Sequence, residues 1–214
     1  MSAGLFYDIL DDKRRDILPH FAPLKEQFYL AGGTGLALQI GHRDSIDFDF
    51  FASESFDPLK VQDILRTILP DREFMTIQRE RDTLTIVVDK TIKISFFGSP
   101  YPLVRPLIDT DALQLASIED IGCMKLTAVV GWATLKDYVD LYFIVRRFSF
   151  PLLLGLASEK IPSFNSALTL KSLTYFDDIV QEPILFKHGS DVSLDEVSFY
   201  LKQQVKKAFD GGWA

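Results

Sequence analysis

A chain of 214 residues with 47% hydrophobic content carries enough apolar material for one domain with an appendage, or two small ones, and should fold unaided. Its net charge of −7 argues against a broad polyanion-binding surface while leaving room for a local basic cleft. Cys123 is the only cysteine, which excludes an intramolecular disulfide and a zinc cluster. No apolar run approaches the roughly 20 residues needed to span a membrane, and the first residues show no basic-then-apolar signal pattern, so a cytoplasmic protein is expected.

In chain order, Leu5, Phe6, Ile9, Leu10 and Ile17 predict an amphipathic helix ending near Pro19. Phe28 to Ala31 reads as a short buried strand and Gly32-Gly33 as a turn. Thr34 opens a helix through Leu36, Ala37, Leu38 and Ile40 to Gly41. Over 45–50 the apolar Ile46, Phe48 and Phe50 alternate with Ser45, Asp47 and Asp49, the period of a strand with one polar face. Pro58 to Leu69 predicts a helix stopped by Pro70. Phe74–Ile77, Thr83–Val88 and Thr91–Phe97 predict three strands, the last two joined at Asp89-Lys90. From Ser117 the pattern turns helical. Ser117-Ile118-Glu119-Asp120 and Thr134-Leu135-Lys136-Asp137 are capping boxes before helices reaching about Val130 and Arg147. Further helical segments lie around Leu152–Leu156, Thr169–Val180 and Leu194–Phe209. The order implies an α+β core over 1–112 and a mostly helical region over 113–214 packed on it, joined through Pro100, Pro102 and Pro106.

Two features of the core carry chemistry. On a strand, Asp47 and Asp49 project from the same side about 6 to 7 Å apart, a spacing from which flexible carboxylates converge on a divalent cation. The alternative is a solvated face with two ordinary acids, but aspartate is a poor strand former and such local conflicts concentrate at functional sites. A glycine turn opening a helix lets backbone N–H groups approach an anion. Two phosphate motifs are excluded: no Gly-Lys-Ser/Thr stands at P-loop spacing, and Leu38 occupies the small-residue position of a dinucleotide fold. His42 lacks a second histidine at ligand spacing and reads as a core residue. Arg43 is open between a phosphate contact and an ion pair with Asp44 or Asp47. The 18 phenylalanines read as core rather than as a base-stacking platform.

In the helical region Lys125 lies beside the apolar stripe of Ile121, Met124 and Ala128. Asp140 sits within Tyr138-Val139-Asp140-Leu141-Tyr142-Phe143-Ile144, where an unpaired acid is costly. Lys125 and Lys136 are its candidate partners. Asp137 has a capping duty to weigh against a functional one.

Gly32-Gly33-Thr34, then Gly41-His42-Arg43-x-Ser45-x-Asp47-x-Asp49-Phe50-Phe51, then Ile121-x-x-Met124-Lys125-Leu126 and Lys136-Asp137-x-x-Asp140-Leu141-Tyr142 resemble the AbiEii/AbiGii nucleotidyltransferase toxin family. The resemblance covers about Tyr29 to Val145. It implies a polymerase-β-like nucleotidyltransferase core with a small mixed sheet and with Gly32, Gly33, Thr34, Arg43 and Ser45 around the nucleotide. It also implies Mg²⁺ or Mn²⁺ on Asp47 and Asp49, Lys125 on the phosphates, and Asp137 or Asp140 completing the site. By the same resemblance the substrate is an NTP and the acceptor an RNA such as a tRNA end, or a protein hydroxyl. A cognate antitoxin would be the partner. Two positions depart from the family pattern: Ser95 stands where a third core-strand carboxylate is expected, and Trp132 where an arginine is common. They favour the alternative of a nucleotidyltransferase-fold module that binds a nucleotide or partner without turnover.

Overall fold

The alternation around the two aspartates produces a central strand, but a shorter one than its period suggests. The computed structural model describes residues 4–99, 101–131, 134–177, 179 and 182–212, and the chain divides after Ser117 into two units. In the first, β1 (Tyr29–Leu30), β2 (Phe48–Ala52), β3 (Phe74–Glu80), β4 (Thr83–Val88), β5 (Ile92–Gly98), β6 (Ile108–Asp109) and β7 (Gln114–Leu115) form one mixed sheet. Its order is β3-β4-β5-β2-β1-β7-β6. The β3, β4 and β5 strands form an antiparallel meander, β2 lies parallel to β5 and antiparallel to β1, and β7 lies parallel to β1. Because β7 belongs to this sheet, the division falls beyond the expected boundary at 112.

Packing explains where the strands sit. Phe48, Phe50 and Ala52 of β2 are buried while Asp49 and Phe51 are only partly covered. Phe21 meets Phe48 and Phe50 edge-on at 5.2 and 5.3 Å, and Phe50 stacks on Phe96 of β5 at 5.1 Å, geometries that add to simple area burial. The single N-terminal helix expected from periodicity is instead a 3₁₀ turn at Tyr7–Ile9, α1 (Asp12–Ile17) and a 3₁₀ stretch at Leu18–Leu24. Asp11 restarts the helix by accepting from the Arg14 amide at 2.9 Å, and Pro19 and Pro23 deny later turns their amide donors. The apolar set still enters the core, with Ile9, Leu10 and Ile17 buried. The two core helices are α2 (Gly32–Ile40) and α3 (Pro58–Ile68). Asp89 and Lys90 both take positive φ, 47° and 63°, the backbone that a two-residue hairpin requires.

The second unit consists of α4 (Ile118–Gly131), α5 (Leu135–Val145), α6 (Phe150–Lys160), α7 (Ser166–Ser172) and α8 (Leu194–Asp210). α4 packs on α5, α6 and α7, and α8 packs on α5 and α6. The helix expected over Thr169–Val180 is the shorter α7, capped by Asn165, whose side chain accepts from the Leu168 amide at 2.9 Å. Val180 lies outside the described residues, as do Pro100 and Trp132. Between α4 and α6, Lys160 Nζ donates to Asp120 Oδ1 at 2.7 Å, with both side chains almost fully buried. Cys123, also buried, has its thiol pKa pushed up to about 12, chiefly by desolvation. Among the described residues no single helix is long and apolar enough to cross a membrane.

Asp120→Ala strands a buried ammonium and should cost about 3 to 5 kcal/mol, whereas Asp120→Leu with Lys160→Met should be far milder, both read from urea unfolding. In the native wild type, Cys123 should resist alkylation by iodoacetamide at pH 8 and react only on unfolding.

Candidate active site

In the sheet unit the glycine turn meets the Asp49 carboxylate and, through Thr34, the main chain of Asp47. Gly32 opens α2 with φ of +62°, and a Cβ placed on it would lie 2.8 Å from Asp49 Oδ2. A Cβ on Gly33 would lie 2.5 Å from Arg43 Nη2 and 3.3 Å from Ser45 Oγ. Both glycines are therefore close-approach positions, and at Gly32 the backbone itself also disfavours any side chain. The first intrahelical bond runs from the Gly35 amide to the Ala31 carbonyl at 3.0 Å. The amides of Gly32, Gly33 and Thr34 thus precede the first intrahelical donor, where a helix offers free N–H groups to an anion.

Thr34 joins the two segments. Its hydroxyl lies 2.7 Å from Ser45 Oγ and also bonds the Asp47 main-chain carbonyl. The carbonyl can only accept, so the one Thr34 proton goes there and Ser45 supplies the proton of the hydroxyl pair. Arg43 is buried, with Nη1 donating to the Asp44 carbonyl at 2.9 Å. His42 is fully buried.

One expectation is corrected. Asp47 precedes β2 rather than lying within it, and Ile46 is 53% exposed rather than facing the core. A residue that pattern reading missed explains this. Arg14 of α1 is nearly buried, donates from Nε to the Ile46 carbonyl at 2.5 Å and from Nη2 to the Thr91 carbonyl at 2.7 Å, and pairs with Asp11. The carbonyl before Asp47 is claimed by the Arg14 side chain and its own carbonyl by the Thr34 hydroxyl, so Asp47 lies in a loop that leads into β2. An arginine among Asp11, Asp12 and Asp16 looks like a solvated surface charge, and only its partner 32 residues away identifies it.

Opposite Asp49, in register on β5, stands Ser95, which is buried with its hydroxyl 3.5 Å from Thr85 Oγ1. The neutral residue is thus the cross-strand neighbour of the aspartate. Among the described residues no group of three or more His, Cys, Asp or Glu side chains is gathered as a metal would need for an all-protein cage. Mg²⁺ is commonly held by one or two carboxylates together with substrate phosphates and water, and Asp47 and Asp49 beside a helix N-terminus fit that mode.

In the helical unit Lys125, Asp137 and Asp140 are likewise together. Lys125 Nζ lies 2.6 Å from Asp137 Oδ1 and 2.8 Å from Asp140 Oδ2. Asp140 is fully buried while Lys125 and Asp137 keep a little exposure. The other oxygen of Asp137 accepts from the Thr134 amide at 2.8 Å and completes the capping box of α5. Capping and ion pairing are both present, one on each oxygen. The second candidate partner of Asp140, Lys136, instead pairs with Glu182 at 3.3 Å.

The family model for "Nucleotidyl transferase AbiEii toxin, Type IV TA system" matches residues 16–210. An uncharacterized protein of Aquifex aeolicus (strain VF5) is 34% identical over 186 residues, covering 84% of this chain and 87% of that one. Among solved structures, JHP933 from Helicobacter pylori matches with a TM-score of 0.58 at 17% identity, covering 94% of both chains. The nucleotidyltransferase toxin MenT4 from Mycobacterium tuberculosis matches with a TM-score of 0.60 at 16% identity, covering 94% of this chain and 85% of that one. The mixed sheet of the first unit is accordingly a nucleotidyltransferase fold.

Gly32→Ala should lose about 1 to 2 kcal/mol in urea unfolding from its left-handed backbone and should displace the Asp49 carboxylate. Gly33→Ala, which has no left-handed backbone and whose closest contact is the movable end of Arg43, should lose less. Equal losses would count against the close approach at Gly32.

Proposed function

Because this chain belongs to the AbiEii nucleotidyltransferase toxin family, and so is a nucleotidyltransferase, we propose that it moves a nucleotide from an NTP to an RNA acceptor, with Mg²⁺ held by Asp47 and Asp49. The observation that carries the reading is the seating of the Asp49 carboxylate against the side-chain-free start of α2. The positive end of the helix dipole favours one anion there. A triphosphate drawn to the same amides would face Asp49 at short range, and a divalent cation is what lets both negative groups share the place.

Each residue then has a task. The Gly32, Gly33 and Thr34 amides would hold phosphate oxygens, with Arg43 behind Gly33 adding positive charge. Thr34 and Ser45 would keep the Asp47 segment in place. An acceptor hydroxyl attacks the α-phosphorus in line, the bond from that phosphorus to the bridging oxygen breaks, pyrophosphate leaves, and the hydroxyl proton passes to solvent. When bound, the metal neutralises developing charge on the phosphates, the main requirement of such a transfer. Lys125, held by Asp137 and Asp140, is proposed to serve the same reaction as a phosphate cation. Toxins of this kind have a cognate antitoxin and a nucleotide substrate in general, and a cytoplasmic site of action is part of the proposal. A second reading, binding without turnover, is favoured by one observation, the neutral Ser95 in register with Asp49.

Incubation with each of the four α-labelled NTPs, Mg²⁺ and total RNA should label RNA. Asp47→Asn or Asp49→Asn should lower transfer about 100-fold or more, since metal-assisted charge stabilisation is worth several kcal/mol. No labelling with any nucleotide, or labelling that survives the double substitution, would overturn the assignment. Calorimetric NTP binding with Mg²⁺ but no pyrophosphate release would select the second reading. Lys125→Met should also depress transfer strongly while leaving RNA affinity intact.

A further inference from the structure

The last helix has two faces of different character. Val197, Leu201, Val205 and Ala208 of α8 are buried against the helical unit. On the outer side Phe199 and Phe209 are 65% and 62% exposed, with the exposed Lys202 and Lys206 between them. At 3.6 residues per turn these four positions fall within roughly 80° of arc, so they form one stripe reading Phe, Lys, Lys, Phe. Lys202 Nζ already sits 5.2 Å from the ring centroid of Phe176. Two bare phenylalanines on one helix face are more than scattered surface apolarity requires.

The N-terminal end of the same helix borders a cleft of about 510 Å³ lined by Tyr142, Phe143, Arg146, Arg147, Ser190 and Glu196, with Asp191 at its wall. Arg146 donates from Nη1 to the Tyr142 hydroxyl at 2.5 Å and lies over that ring. Tyr142 in turn donates to Glu196 at 2.5 Å. Arg147 donates from Nη1 to the Phe143 carbonyl at 3.1 Å. Neither arginine forms an ion pair among the described residues. The guanidinium of Arg147 is held below its usual pKa by partial burial and then by the adjacent Arg146 charge, a repulsion that a bound anion would relieve.

We propose that α8 and the Arg146–Arg147 cleft form a track for single-stranded RNA, with phosphates at the arginines and lysines and bases stacked on Phe199 and Phe209. The proposal rests on RNA being the acceptor class, and it assigns where on the helical unit that acceptor is held. From Glu196 to Phe209 the helix rises on the order of 20 Å, room for a few nucleotides of single strand. Rings at either end of a pair of cations offer stacking faces for bases and partners for the phosphates between them, whereas a protein partner packed on the stripe would have to desolvate Lys202 and Lys206 against apolar surface. The acids at the cleft wall suit hydrogen bonds from ribose hydroxyls, which distinguish RNA from DNA. A track this local agrees with the negative charge of the whole chain.

The test is fluorescence anisotropy of a labelled single-stranded oligoribonucleotide with the full chain, in the absence of NTP and metal. Arg146→Glu with Arg147→Glu should weaken binding about tenfold or more and flatten its salt dependence. Phe199→Ala should weaken it roughly fivefold or more with little change in salt slope, and Lys171→Glu on α7 should have no effect. Phe199 is exposed, so its variant keeps the test valid where the double arginine variant fails to fold. Wild-type protein that does not bind the RNA, or variants that bind it unchanged, would overturn the proposal. It would also be overturned if Phe199→Ala instead abolished self-association in light scattering or binding to anionic vesicles. Asp47→Asn with Asp49→Asn should still bind RNA, so failure of transfer and failure of the track are read separately.

Discussion

A carboxylate can stand against the first turn of a helix only when the residue opening that helix has no side chain, and Gly32 against Asp49 meets this condition with a margin smaller than a methyl group. Much of the first unit follows from that clearance. It brings β2 and the start of α2 to contact distance, which is what allows Thr34 to reach both Ser45 and the Asp47 carbonyl. It also places negative charge where the helix dipole already attracts it. The remaining restraint comes from outside the motif: Arg14 holds the chain just before Asp47 and ties it to the residue preceding β5.

The helical unit solves a different problem. Lys125 and Lys160 each meet aspartate within hydrogen-bond distance in largely buried surroundings. Such pairs contribute little net stability compared with apolar packing but penalise any arrangement that separates them. They therefore act on the mutual register of α4, α5 and α6 more than on how tightly the unit folds. The two clusters differ in exposure: Asp120 and Lys160 meet almost fully buried, while Lys125, shared between Asp137 and Asp140, keeps slight exposure.

Local periodicity was sufficient for Phe48 and Phe50, for the hairpin at Asp89-Lys90 and for the capping box at Thr134, because each depends on neighbours a few residues away. It failed where a distant partner decides. Asp47 leaves its strand because of Arg14, 32 residues from the carbonyl it claims, and Asp120 reads as a cap residue until Lys160, 40 residues on, is placed beside it. β6 and β7 have two residues each, too few for any period. Phenylalanine content pointed to core, which holds for Phe48, Phe50 and Phe96 but not for Phe199 and Phe209, since composition does not say which way a helix turns. The glycines were legible as a turn; that their neighbours are Asp49 and Arg43 was carried by the motif's resemblance, not by its spacing.

Asp137 divides one carboxylate between two masters, the amide that begins α5 and the ammonium of Lys125. Starting the helix and seating the lysine are thereby the same molecular event. A substitution that keeps one of these duties by hydrogen bonding, such as asparagine, gives up the charge needed for the other. A one-residue shift in the loop before α5 moves the cap and the lysine's anchor together. Folding alone therefore asks only for a hydrogen-bonding side chain at this position, and it is the lysine that adds the demand for a charge.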